Sequence, residues 1–203
     1  MKLVNFIFRV INSLRLRLVN PSLRQSFSIK SHLTIPERVT LSKLARGKKI
    51  VCEIGSYIGA SASAMGTSLV GADGAVLFCV DTWNNDAMSE GERDTYEAFL
   101  RNTTAVSECI VPVRGYSTDV VSQISSQVEH LDLLFIDGDH SYEGVKADWD
   151  AYKHLLRPGT TVAFHDFGWA EGVQRLITEE VMPVATDASS LPNLFWCTIK
   201  EKD

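Results

Sequence analysis

From residue 50 onward, short apolar runs alternate with stretches in which apolar residues recur every three or four positions. The runs predict strands over 50–54, 76–81, 110–113, 131–137, 160–165 and 194–200. The stretches between them predict helices near 59–70, 90–106, 117–128, 142–156 and 171–181. Strands and helices alternating at this spacing imply right-handed crossovers. The expected fold class is α/β: a Rossmann-like, doubly wound, mostly parallel sheet with helices on both faces. Just upstream, Thr34 with Glu37 three residues later is a capping-box pattern. Leu41, Leu44 and Ala45 continue a helical face that Arg46-Gly47 ends.

The first twenty residues follow another pattern. Leu3, Ile7, Val10, Ile11, Leu14 and Leu18 fall on one helical face, and Lys2, Asn5, Arg9, Asn12, Ser13 and Arg17 fall on the other. Phe6, Phe8 and Leu16 blur the division, and Asn20-Pro21 stops the helix. The chain thus divides into a basic amphipathic arm, residues 1–30, and a main domain, residues 31–203. No apolar run approaches the ~20 residues of a membrane span. Arg9, Arg15 and Arg17 interrupt any signal-peptide core. Three roles stay open for the arm: packing on the body or on a second copy, lying on an anionic membrane through residues 1–20, or serving as a transit peptide.

Composition narrows the picture. Of 203 residues 45% are apolar and 22% charged, which is globular and sufficient for one core. The net charge of -5 conceals a split. Residues 1–49 hold eleven Lys and Arg against the single acid Glu37; the remainder holds nine against twenty-four acids. Such a split raises a nucleic-acid or membrane partner, but the arm's helical amphipathicity does not read as a nucleic-acid binder, and none is expected. Cys52, Cys79, Cys109 and Cys197 form no CxxC pair. Buried thiols in a reducing, cytoplasmic compartment are expected.

Ligands of doubly wound sheets sit beyond the carboxyl ends of the strands. The first strand end is "VCEIGSYIGASA": Glu53, then a glycine turn through Gly55, Ser56 and Gly59 into a helix of small residues. Glycines there permit a tight turn and close approach of a ligand, although by itself the stretch is no more than a β–α turn. It is GxxxG, not the GxGxxG of dinucleotide binders. The second strand ends in "VDTW", with Asp81 where an acid accepts a ribose diol. The third leads to "VRGYS", where Ser117 is a candidate helix cap. The fourth ends in "IDGDHSYEGVKADW" and the fifth in "AFHDF". Asp137, Asp139, His140, His165 and Asp166 therefore meet at two neighbouring strand ends, a convergence that reads as a site.

These pieces in this order resemble the class I S-adenosylmethionine-dependent methyltransferases. Within them the nearest likeness is to the branch of macrocin-type sugar O-methyltransferases and cephalosporin hydroxylase relatives. The likeness runs over roughly residues 37–166. It implies that Glu53, Gly55, Ser56 and Gly59 hold the methionine and ribose of the cofactor, that Asp81 takes the ribose diol, and that Ser117 lies near the adenine. It implies a divalent metal, Mg²⁺ in the family, at Asp137, His165 and Asp166, with His140 as base; Asp137 borders the cofactor as well. His165 stands where the family has a carboxylate, which weakens Mg²⁺ and favours Mn²⁺ or a transition metal, and leaves open whether a metal binds.

The resemblance points to an O-methyltransferase acting on a hydroxyl of a sugar or glycosylated small molecule, in a homo-oligomer. Residues 84–95 and 167–171 would flank the acceptor. Two alternatives stay open: an NAD-dependent oxidoreductase on the same fold, and a cofactor-binding subunit without catalysis.

Overall fold

A computed structural model of the chain describes residues 2–84, 91 and 93–201. Its centre is a seven-stranded sheet with five parallel strands: β1 (Ile50–Ile54), β2 (Val76–Asp81), β3 (Ile110–Arg114), β4 (Leu133–Ile136) and β5 (Thr161–His165). A hairpin of β6 (Ala185–Leu191) and β7 (Leu194–Ile199) closes one side, with β7 antiparallel to β5. The order across the sheet is β3-β2-β1-β4-β5-β7-β6. The chain reverses direction across the sheet between β1 and β4, the place where this topology opens a crevice.

The central strands are apolar on both faces because both faces are covered. On one side Cys52, Ile54, Phe78, Val80, Leu134 and Ile136 pack with Val120, Ile124, Trp149 and Tyr152. These partners come from α6 (Ser117–Ser125) and α7 (Tyr142–Tyr152). On the other side Val51, Leu77, Cys79, Leu133 and Phe135 pack with Leu41, Met65 and Phe99. Those belong to α3 (Ile35–Ala45), α4 (Ala60–Gly66) and α5 (Tyr96–Thr103). All four cysteines are buried free thiols, as expected.

β6 was not expected. Its Ala-Thr-Asp-Ala-Ser-Ser stretch shows no apolar alternation, and its outward side is solvated. It is a strand only because β7 supplies a backbone ladder, interrupted by a register shift between Thr186 and Ser189. The helix expected near 90–106 is shorter, and residues 85–90 and 92 of the predicted acceptor-flanking segment lie outside the described residues. The chain runs on from α8 (Glu171–Leu176) through a wider turn over Ile177–Val181.

The capping box at α3 forms: the Thr34 amide donates to Glu37 Oε2 at 2.6 Å. Upstream lie α1 (Lys2–Val19) and the short α2 (Arg24–Ser28). Leu23 and Phe27 pack with Ile35, Val39 and Ala64, so this part of the arm is bedded in the body. No helix of the described residues is long and apolar enough to cross a membrane.

α1 turns the opposite way from the ordinary expectation for an amphipathic helix. Asn12, Ser13 and Asn20 are half-buried with Leu16, while Val10, Ile11, Leu14, Leu18 and Val19 are exposed. The predicted places of Leu3 and Ile7 on that face lie outside the described side chains.

Candidate active site

The glycine turn after β1 is shaped by how closely it approaches β4. Gly55 has φ +87°, and a Cβ there would sit 2.0 Å from the Asp137 carbonyl oxygen. Its amide donates to Val80 O at 2.9 Å, while the Asp137 amide donates to Ile54 O at 2.8 Å. Three strand ends are thereby bound into one floor. Gly59, also at φ +87°, begins α4 against Thr103 and Phe99.

At the end of β2 the Asp81 carboxylate is held by two amides. Tyr57 N donates to Oδ2 at 2.7 Å and Trp83 N to Oδ1 at 2.6 Å. Trp83 is fully buried against Tyr96 and Phe99, and its indole N–H donates to Tyr57 O at 2.8 Å. It is a core side chain that ties the glycine turn to β2.

Beyond β4, Asp139 is structural. Its Oδ1 accepts the Ser141 amide at 2.8 Å, and Ser141 Oγ caps α7 by accepting from Gly144 N at 3.0 Å. This brace leaves His140 facing Asp166, with His140 Nε2 2.7 Å from Asp166 Oδ2. Asp166 sits in the left-handed region, φ 58°, a conformation that costs of order 1–3 kcal/mol and persists where surroundings enforce it. Here Trp169 Nε1 and Asn193 Nδ2 both donate to its Oδ1, at 2.7 and 3.0 Å.

His165 is buried among three carboxylates. Its Nδ1 is 3.0 Å from Asp137 Oδ1 and 3.2 Å from Asp166 Oδ1, and its Nε2 is 3.7 Å from Glu37 Oε2. Burial opposes a charge on this ring, but the charge and hydrogen bond of Asp137, with those of Asp166 and Glu37, push it up to about 12. The three carboxylates together favour its imidazolium form at neutral pH. Burial would likewise raise Asp166, yet hydrogen bonds from His140 and His165 hold it well below the carboxylate range. Asp137 is raised above its ordinary value, burial outweighing the pull of His165. The His140 ring is raised above its ordinary value, first by the Asp166 hydrogen bond, against partial desolvation.

Of the predicted metal set, His165 directs Nδ1 at both Asp137 and Asp166 and Nε2 at Glu37. The group whose donor atoms lie within 4.8 Å of one another is Asp137, His140 and Asp166. Two carboxylates and one imidazole fit a divalent ion, but an ion bound through Nε2 would displace the Nε2–Asp166 contact that orients the ring.

All of this opens on one cavity of about 720 Å³. Gly55, Ser56, Asp81, Ser117, Asp137, His140, His165 and Asp166 line it; Glu53 and Gly59 lie behind the lining. Glu53 is fully buried, neither of its oxygens has a hydrogen-bond partner, and burial pushes it up to about 7, the nearby Ser61 and Ser56 hydroxyls offsetting only part. The Ser56 hydroxyl is also buried without a partner, and it lines the cavity. An unsatisfied buried donor at a cavity wall is what a polar ligand completes. Ser117 does not occupy the cap position of α6, which is Tyr116. Its hydroxyl donates instead to Asp148 Oδ1. Asp148, pushed up to about 6 by burial, also lines the cavity; as a site residue it escaped the sequence reading, as did Asn193 and Gly172, and Glu37 was read only as a helix cap. A Cβ at Gly172 would lie 2.6 Å from His140 O, so this glycine lets α8 press on the His140 loop.

Residues 52–167 match the family model described as a methyltransferase domain. The chain belongs to that methyltransferase family. A protein of Sinorhizobium fredii (strain NBRC 101917 / NGR234), uncharacterized protein y4gI, is 32% identical over 124 residues, 60% of this chain. The match spans 13% of that relative's length. Among solved structures, the O-methyltransferase from Bacillus cereus in complex with S-adenosylhomocysteine superposes with a TM-score of 0.66 at 15% identity. That likeness covers 93% of this chain and 90% of the other. CalS11, a TDP-rhamnose 3'-O-methyltransferase of calicheamicin biosynthesis, superposes with a TM-score of 0.60 at 18% identity, covering 79% and 76%. At such identities the structural likeness is one of fold: this methyltransferase domain has the class I architecture.

Proposed function

We propose that the domain is an S-adenosylmethionine-dependent O-methyltransferase acting on a hydroxyl of a sugar or glycosylated small molecule, with His140 as general base. The observation that carries the reading is the pair of anchored groups on one cavity: Asp81 on two backbone amides and His140 on Asp166. Gly55, Ser56 and Asp81 would hold the methionine and ribose portions, and Ser117 with Asp148 the adenine end. When bound, the cofactor supplies a methyl group on a sulfonium, open to in-line displacement. Asp166 keeps the His140 ring oriented, and Trp169, its ring centroid 5.1 Å from that of His140, would flank the acceptor. An acceptor hydroxyl placed there would give its proton to His140 Nδ1, the ring nitrogen not engaged with Asp166, as its oxygen attacks the methyl group that the cofactor would supply. General-base help of this kind is worth roughly 10²–10⁴-fold. A sugar acceptor is supported by the TDP-rhamnose enzyme among the structural neighbours and by a polar, aromatic-edged mouth.

A second reading follows from the Asp137–His140–Asp166 cluster. A Mg²⁺ or Mn²⁺ held there would acidify the hydroxyl directly, and His140 would then be a ligand. The NAD-dependent alternative lacks a GxGxxG loop and runs against the family match. The test is transfer of labelled methyl from S-adenosylmethionine to a panel of nucleotide sugars. His140→Ala should cut turnover at least a hundredfold while cofactor affinity holds, and dialysis against EDTA should leave turnover intact. Turnover retained in His140→Ala refutes the base; turnover lost with EDTA and restored by Mn²⁺ selects the metal reading.

A further inference from the structure

We infer that the outward face of α1 lies on an anionic lipid surface. The inference is independent of the proposed activity. It begins with the orientation of the helix. Leu16 packs against the cluster of Leu23, Phe27 and Ile35, Arg17 donates to Phe27 O, and Asn12, Ser13 and Asn20 are half-buried. The polar side of α1 is thus the side that meets the body. Ile11, Leu14 and Leu18 are 59%, 57% and 81% exposed, and Val10 and Val19 lie beside them. Their spacing places Val10, Ile11, Leu14 and Leu18 on one stripe, with Val19 at its far edge. A helix that turns its aliphatic stripe away from its own core has a partner for that stripe.

Charge decides which partner. Residues 1–36 contain six Lys and Arg and no acid; Arg15 is exposed on α1 beside Ile11 and Leu18 on the helical wheel, and Arg24 is exposed on α2. A second copy meeting this face across a two-fold axis would bring two acid-free basic helices together, with like charges facing. A lipid surface with anionic headgroups satisfies both halves of the pattern, taking the aliphatic stripe into the acyl boundary and the guanidinium groups among the phosphates. The helix is not a membrane span, so it would lie in the plane of the surface.

The test is co-sedimentation of the full chain with vesicles of equal parts phosphatidylcholine and phosphatidylglycerol, beside vesicles of phosphatidylcholine alone. The chain should pellet with the anionic vesicles and stay in solution with the neutral ones, and salt should weaken binding. Ile11→Asp, Leu14→Asp and Leu18→Asp combined should reduce binding at least tenfold. Arg15→Gln and Arg24→Gln should each reduce it roughly fivefold. These positions are exposed, and an unchanged melting temperature confirms that each variant is folded. No partition onto anionic vesicles, or a triple Asp variant that binds as well as its parent, overturns the inference. So does a parent that ignores vesicles yet falls from dimer to monomer in light scattering when the triple change is made, because the stripe then faces a second copy.

Discussion

Replacing Gly55 by alanine probes the closest backbone approach in the site. The added Cβ would stand 2.0 Å from the Asp137 carbonyl oxygen and 2.6 Å from its carbon, at φ +87°. Such contacts do not occur below 3.0 Å, so the ends of β1 and β4 must part by about 1 Å, and both partners are backbone. The left-handed conformation costs a non-glycine residue about 1–2 kcal/mol, and overpacking adds about 1–3 kcal/mol. The sum, about 2–5 kcal/mol, lowers the melting temperature by roughly 4–20 °C for a domain of this size. A 1 Å displacement of Asp137 also misplaces the catalytic groups, a change that costs on the order of 10²-fold in turnover. Gly47→Ala is the control: φ is +76° with nothing within 4 Å, so the conformational cost alone applies, about 1–2 kcal/mol. Scanning calorimetry on both variants, with S-adenosylhomocysteine titrations, makes the comparison. If Gly55→Ala melts no lower than Gly47→Ala and binds as the parent does, the close approach of β1 to β4 is wrong.

His140 serves as base only when neutral, and Asp166 raises its pKa; turnover should therefore climb with pH through a midpoint above its ordinary value. Asp166→Asn should move that midpoint to lower pH, and a midpoint that stays put removes Asp166 from the role assigned to it. His165→Leu strips the cation from Glu37, Asp137 and Asp166, costing about 3–5 kcal/mol. Without the imidazolium the buried carboxylates hold protons more tightly folded than unfolded, so the lost stability should return as pH falls toward 5. A deficit equal at acid and neutral pH contradicts this. Glu53 sits at about 7 through burial, so ionising it destabilises the fold progressively above its unfolded pKa, by up to about 3 kcal/mol at alkaline pH. Without ligand, Glu53→Gln should melt higher than the parent at alkaline pH and equally near pH 5; equal melting throughout contradicts a buried, unpartnered acid.

The parallel strands were legible because they are apolar on both faces. β1 and β2 occupy the predicted residues, and eight of the ten predicted cofactor, catalytic and metal positions line one cavity. β6 was not legible, since its ladder comes from β7 and not from its own residues. Periodicity divided α1 into two faces but does not state which faces inward; that depends on the nest made by Leu23, Phe27 and Ile35. The motif put His165 at a strand end, yet its role is set by Glu37, delivered from a helix ahead of β1, and by Asn193, delivered by the β6–β7 turn. Asp148 stands inside the signature that follows β4, on α7, where an acid ordinarily reads as solvated surface.

The central claim is that this cavity takes S-adenosylmethionine with Asp81 on its ribose. Calorimetric titration of S-adenosylhomocysteine into the parent and into Asp81→Ala tests it most directly. Micromolar binding by the parent, reduced roughly 10–150-fold in a variant that still melts cooperatively, is the result predicted for the loss of a charge-assisted contact. No heat with the parent, or equal affinity in the two proteins, would contradict it.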